Sequence, residues 1–122
     1  MKMFRLELFV EDLKKSADFY KDLLGFEITK HKSTAISLQY TNLSLLLTKE
    51  STWKTDHYFK KIPNSSKGKG VEFILQPKNF DLLYHHIKKS GYQLESELTL
   101  QSWGSNDFRI IDPDGYYWRI ST

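Results

Sequence analysis

Apolar and polar residues alternate over residues 4–10. Phe4, Leu6, Leu8 and Val10 fall on one side and Arg5, Glu7 and Phe9 on the other, the period of a half-buried strand. From Asp12 the period lengthens. Leu13, Ala17, Tyr20 and Leu24 recur at helical spacing, with Asp12 placed as an N-cap and Gly25 as the stop. Strands are expected at 26–31, 34–40 and 43–48, separated by turns at Lys32-Ser33 and Thr41-Asn42. The stretch from Lys49 to Lys69 loses this regularity and reads as a connection, with a short helical turn near His57 to Lys61. The opening order then returns. Val71, Phe73 and Leu75 face a helix while Glu72, Ile74 and Gln76 face away; Asn79 caps a helix striped by Phe80, Leu83 and Ile87; Gly91 stops it. Residues 92–100 read as a strand with Leu94, Leu98 and Leu100 inward. A loop carrying Ser102-Trp103-Gly104-Ser105 leads to a strand over 107–111 and to Asp112-Pro113-Asp114-Gly115, a tight turn. Tyr116, Trp118 and Ile120 close the core face, leaving Tyr117, Arg119 and Ser121 opposite. A repeat of this length decides the architecture. It predicts an α+β fold of two βαβββ modules, whose curved mixed sheets surround a concave site with the helices outside.

Composition narrows the function classes. A chain of 122 residues, 39% hydrophobic and 15% aromatic, has ample apolar material for a core. No stretch approaches the roughly 20 apolar residues of a membrane span, so no membrane partner is expected. Met1-Lys2-Met3-Phe4 runs directly into an alternating strand, and there is no cysteine for a disulfide, so the expected compartment is the cytoplasm. The net charge of +3 and pI near 9.0 raise nucleic acid as a partner, with Lys54, Lys60, Lys61, Lys67 and Lys69 close together. A solvated lysine-rich connection explains that run, and no nucleic-acid partner is expected.

Val10-Glu11-Asp12-Leu13, Phe19-Tyr20 and Leu24-Gly25-Phe26 are followed in order by Trp103-Gly104, Asp107-Phe108-Arg109 and Asp112-Pro113-Asp114-Gly115-Tyr116-Tyr117. Together these resemble the vicinal oxygen chelate superfamily of glyoxalases, bleomycin-resistance proteins and ring-cleaving dioxygenases. The resemblance spans nearly the whole chain. It implies a single domain over 1–122, with module one about 1–49, a connection about 50–69 and module two about 70–122. It implies a homodimer, since members commonly pair, although some complete the site within one chain.

Metal-dependent relatives carry a His or Glu ligand on the first and last strand of each module. The resemblance carries these places onto Arg5, Leu46, Glu72 and Arg119, with Ser44 as the alternative to Leu46. Arginine has no free acceptor and stays charged, and leucine has no donor atom, so one carboxylate of four remains. No metal and no cofactor are expected. Arg5, Glu72 and Arg119, with Glu7 near them, then form either a self-neutralising ionic patch or a receptor for an anion, because a guanidinium fork matches carboxylate or phosphate. Phe9, Trp53, Trp103 and Tyr117 are the aromatic candidates for a pocket wall. The adjacent His85 and His86 point about 100° apart on a helix and make no ligand pair, and His31 and His57 stand alone. The expected ligand-binding residues are thus Arg5, Glu7, Phe9, Leu46, Glu72, Trp103, Tyr117 and Arg119.

The function this implies is metal-independent binding of a small molecule, anionic or aromatic, as in the bleomycin-resistance branch, which sequesters rather than converts. Two alternatives stay open. One is a lyase, isomerase or dioxygenase of the same superfamily, using ligands from outside the family positions or, without metal, Glu72 or Glu7 as a base. The other is a structural or regulatory module whose site is blocked.

Overall fold

The computed structural model describes residues 4–63 and 65–122, and the chain divides into two compact units, 1–65 and 66–122. The first unit runs β1 (Leu6–Val10), α1 (Leu13–Asp18), a π-helical turn (Phe19–Leu23), β2 (Glu27–His31), β3 (Ala35–Tyr40) and β4 (Leu43–Lys49). A 3₁₀ turn (Glu50–Thr52) and a short helix α2 (Tyr58–Lys61) follow. The second runs β5 (Phe73–Leu75), α3 (Phe80–Ser90), β6 (Ser96–Leu100), β7 (Asn106–Ile111) and β8 (Tyr117–Ser121). Each unit forms one four-stranded mixed sheet, in the orders β1-β4-β3-β2 and β5-β8-β7-β6. In each, the outer parallel pair joins the first strand to the last and the rest is an antiparallel meander. The two βαβββ modules expected from the repeat are therefore present.

In the first unit Leu8, Val10, Leu45 and Leu47 are buried on the side where α1 lies against β3 and β4. Asp12 caps α1, its Oδ1 accepting from the Lys15 N–H at 3.1 Å. The helix then widens: Leu24 N–H donates to Phe19 O at 3.2 Å, five residues back. That extra residue turns Phe19 and Leu23 into the core beside the expected Leu13, Ala17, Tyr20 and Leu24. Gly25 ends the helix at φ +84° and Gly91 ends α3 at φ +80°, the left-handed stop that both halves share.

In the second unit α3 packs on the face that carries Phe108, whose ring lies 5.6 Å from Phe80 and 5.3 Å from Tyr84. Ile87, Ile110, Trp118 and Ile120 are buried on that side. The DPDG turn is held by one carboxylate. Asp112 Oδ1 accepts from the N–H groups of Asp114, Gly115 and Tyr116 at 2.9, 3.0 and 2.8 Å. Lys67 reaches the same turn, its Nζ 3.0 Å from Asp114 Oδ1.

Three expectations are corrected. The strand at 92–100 begins only at Ser96, and Leu98 and Leu100 are 43% and 69% exposed rather than inward. The pairing shifts between Ser96↔Arg109 and Thr99↔Asp107, so β6 carries one residue more than β7 across that interval, a bulge that breaks the alternation on an edge strand. Val71 is 51% exposed, because β5 is short and starts two residues later, at Phe73. Phe4 is exposed ahead of β1 for the same reason.

Candidate functional site

The faces turned away from the helices carry Glu7, Phe9 and Leu46 in the first unit and Tyr117 and Arg119 in the second. In the second unit the register sets Ile74, Arg119 and Arg109 side by side across β5, β8 and β7, with Tyr117 two residues from Arg119 and so on the same face. Glu72, just ahead of β5, reaches this row. Its Oε1 accepts from Arg109 Nε at 2.9 Å and lies 3.6 Å from Arg119 Nε. Arg109 also lies 3.5 Å from Asp107, which accepts from Gln101 Nε2 at 2.8 Å. The bond to Glu72, despite partial burial, raises the Arg109 pKa above its ordinary value.

One carboxylate oxygen thus faces two guanidinium groups, and Arg109 takes the hydrogen bond. Among the described residues, Arg119 Nε is buried with no hydrogen-bond partner, as is Asp107 Oδ2. The Arg119 guanidinium stands 5.8 Å from the Trp103 ring, within cation–π range, while Trp103 itself is 61% exposed. Tyr117 donates its O–H to Glu95 at 2.6 Å. Burial, then the bond to Glu95, pushes the Tyr117 phenol up to about 12. Glu72, Glu95 and Asp107 outnumber Arg109 and Arg119 on this face. The face therefore offers directed N–H donors rather than a positive field.

In the first unit Glu7 pairs with Leu46 and Phe9 with Thr48, all on the face away from α1. Thr48 Oγ1 donates to Glu7 at 2.7 Å. Phe9 gathers three rings, Trp53 at 5.2 Å, Phe59 at 5.6 Å and His57 at 5.7 Å. Arg5 is exposed ahead of β1, in the first unit, whereas Glu72 and Arg119 belong to the second. A groove of ≈ 700 Å³ on the helix side of this unit is lined by Leu13, Ala17, Ile28, His31, Ile36 and Lys49, and by none of the expected site residues.

The two registers are equivalent. Glu7 opposes Leu46 as Ile74 opposes Arg119, which places Arg5 and Glu72 at matching positions two residues earlier. Of the four places that the resemblance implies for metal ligands, Arg5 and Leu46 in the first unit and Arg119 in the second offer no acceptor atom to a divalent metal, and Glu72 alone is a carboxylate. Among the described residues no group of three or more His, Cys, Asp or Glu side chains is placed to hold one.

Arg109 was missed as a partner of Glu72, although its signal is in the sequence. A charged residue between the apolar Phe108 and Ile110 of a strand must point away from the core. His57 was also missed as a neighbour of Phe9. It caps α2, its Nδ1 accepting from Phe59 N–H at 3.1 Å, and no pattern in the irregular stretch after β4 indicated that.

Residues 2–120 match the model of the Glyoxalase/Bleomycin resistance protein/Dioxygenase superfamily, and the chain belongs to that family. It is 33% identical over 115 residues to the bleomycin resistance protein of Geobacillus stearothermophilus, covering 86% of this chain and 84% of that protein. The bleomycin resistance protein of Staphylococcus aureus matches to the same extent. Among solved structures, a lactoylglutathione lyase from Agrobacterium tumefaciens superposes with TM-score 0.75 at 19% identity, over 98% of this chain and 91% of its own. A glyoxalase/bleomycin resistance protein/dioxygenase from Nocardioides gives TM-score 0.78 at 17% identity, over 99% and 82%. At these identities the structural likeness shows the fold alone.

Proposed function

We propose that this chain binds a small aromatic molecule bearing an anionic group, without a metal, on the open face of its second sheet. The observation that carries this reading is Arg119. Its guanidinium is mostly buried, its Nε has no acceptor among the described residues, and the carboxylate oxygen 3.6 Å away is held by Arg109. A desolvated donor without a partner costs about 1–3 kcal/mol, and a ligand carboxylate returns that energy to binding. Trp103 beside it offers an exposed ring for a planar group to stack on. The 33% identity to proteins named for bleomycin resistance supports sequestration rather than turnover. We extend the proposal to a homodimer, with second copies covering sheet edges.

Calorimetric titration with 2-naphthoate, with and without a chelator, tests the site. Saturable binding unchanged by chelator is expected, weakened about tenfold or more in Arg119→Gln, the loss of a charge-assisted hydrogen bond. An affinity equal in wild type and variant, or binding abolished by chelator, overturns the reading.

A further inference from the structure

Residues 50–61 follow β4 and lie over the open face of the first sheet through their rings. Phe9, Trp53, His57 and Phe59 make contact in every pairing, at centroid separations of 5.2 to 5.7 Å, and Trp53 stacks on His57 at an interplanar angle of 20°. Three observations set this cluster apart from core packing. No residue of the 3₁₀ turn or of α2 is buried. Four hydrogen bonds here close turns within the segment or at its start: Trp53 N–H to Glu50 O, His57 N–H to Lys54 O, Lys60 N–H to His57 O and Thr52 Oγ1 to Lys49 O. And the indole Nε1 of Trp53 is buried with no hydrogen-bond partner among the described residues.

A segment with local bonds and few buried atoms opens at low cost. A buried indole N–H without an acceptor makes the closed state incomplete. The rings are too close together for another ring to slip between them, so a guest must lift the segment from Phe9. We propose that residues 50–61 form an aromatic clamp that opens to seat a planar, neutral heteroaromatic on Phe9 and closes with the Trp53 indole N–H donating to an acceptor on that guest. The site lies within the first unit, uses neither Arg119 nor Trp103, and goes beyond the function proposed above.

Coumarin, planar and neutral with a carbonyl acceptor, is the probe, and naphthalene is the control with rings and no acceptor. Indole N–H cross-peaks in ¹H–¹⁵N spectra, assigned with Trp53→Phe and Trp103→Phe, report each tryptophan separately. Coumarin is expected to move the Trp53 indole proton downfield and slow its exchange with water. Trp53→Phe is expected to weaken coumarin about tenfold, the worth of one hydrogen bond to a buried donor, and to change naphthalene affinity less than twofold. Arg119→Gln leaves coumarin binding in place, so failure of the anion site and failure of the clamp are read independently. A Trp53 signal unmoved by coumarin, equal losses for both probes in Trp53→Phe, or no saturable binding at millimolar coumarin overturns the proposal.

Discussion

Glu72 serves two guanidinium groups with a single oxygen, and that shortage sets the energetics of the face around it. All three side chains are partly buried, at 19% exposure for Arg109, 20% for Arg119 and 32% for Glu72. Glu72→Ala removes the counter-charge 3.6 Å from Arg119 and the closest one for Arg109 among the described residues. The expected loss is about 1–3 kcal/mol, read from the shift in urea unfolding midpoint at constant slope. Arg119→Ala is expected to cost less, or to stabilise, in the Glu72→Ala background than in wild type; simple additivity would mean the pair is not coupled. Tyr117 carries a pH signature. Its folded pKa of about 12 lies above the ordinary 10, so the folded state holds the phenol proton more tightly. The stability from this group is complete below pH 10 and is lost as pH rises towards 12. Alkaline unfolding followed across that window should be shallower in Tyr117→Phe, and tyrosinate absorbance should show one phenol titrating late.

At the scale of elements, what the sequence made legible and what it hid divide by mechanism. Alternation over 4–10 and 107–111 and the stripe of Leu13, Ala17, Tyr20 and Leu24 placed strands, helix and core face, because burial on one face imposes a period. The ionic row on the second sheet followed from the same parity, which put Glu72 and Arg119 on one side. The bulge in β6 and the π-helical turn after α1 were invisible, since each inserts one residue without altering composition. The aromatic cluster at Phe9 was hidden for another reason: its members come from a strand and an irregular segment, and only tertiary packing brings them together. The DPDG turn was legible as a turn but not as an anchor. Asp112 is buried and satisfies three N–H groups, so Asp112→Ala is expected to cost about 3 kcal/mol, whereas Asp112→Asn, which keeps one acceptor oxygen, should cost markedly less. Equal midpoints for the two variants in thermal unfolding would deny the anchor.

Across the whole molecule the same plan appears twice, and each copy ends in edge strands. β6 is an edge, and its bulge leaves Leu98 and Leu100 in solvent, an arrangement that invites cover by another chain. Light scattering at tens of micromolar protein should give twice 14.4 kDa, and Leu98→Lys with Leu100→Lys should shift it towards the single-chain mass if β6 is the covered edge. A mass of one chain for the wild type would count against pairing. The shared oxygen of Glu72 also bears on ancestry. A chelating descendant cannot arise by exchanging Arg119 for histidine alone, because Arg109 would still grip the carboxylate at 2.9 Å. A second substitution must release it, and that one taken first strips Glu72 of its hydrogen-bonded partner. Both single steps lose something, and the pair still leaves Arg5 and Leu46 unable to ligate, so metal chemistry is separated from this chain by a valley rather than by a slope.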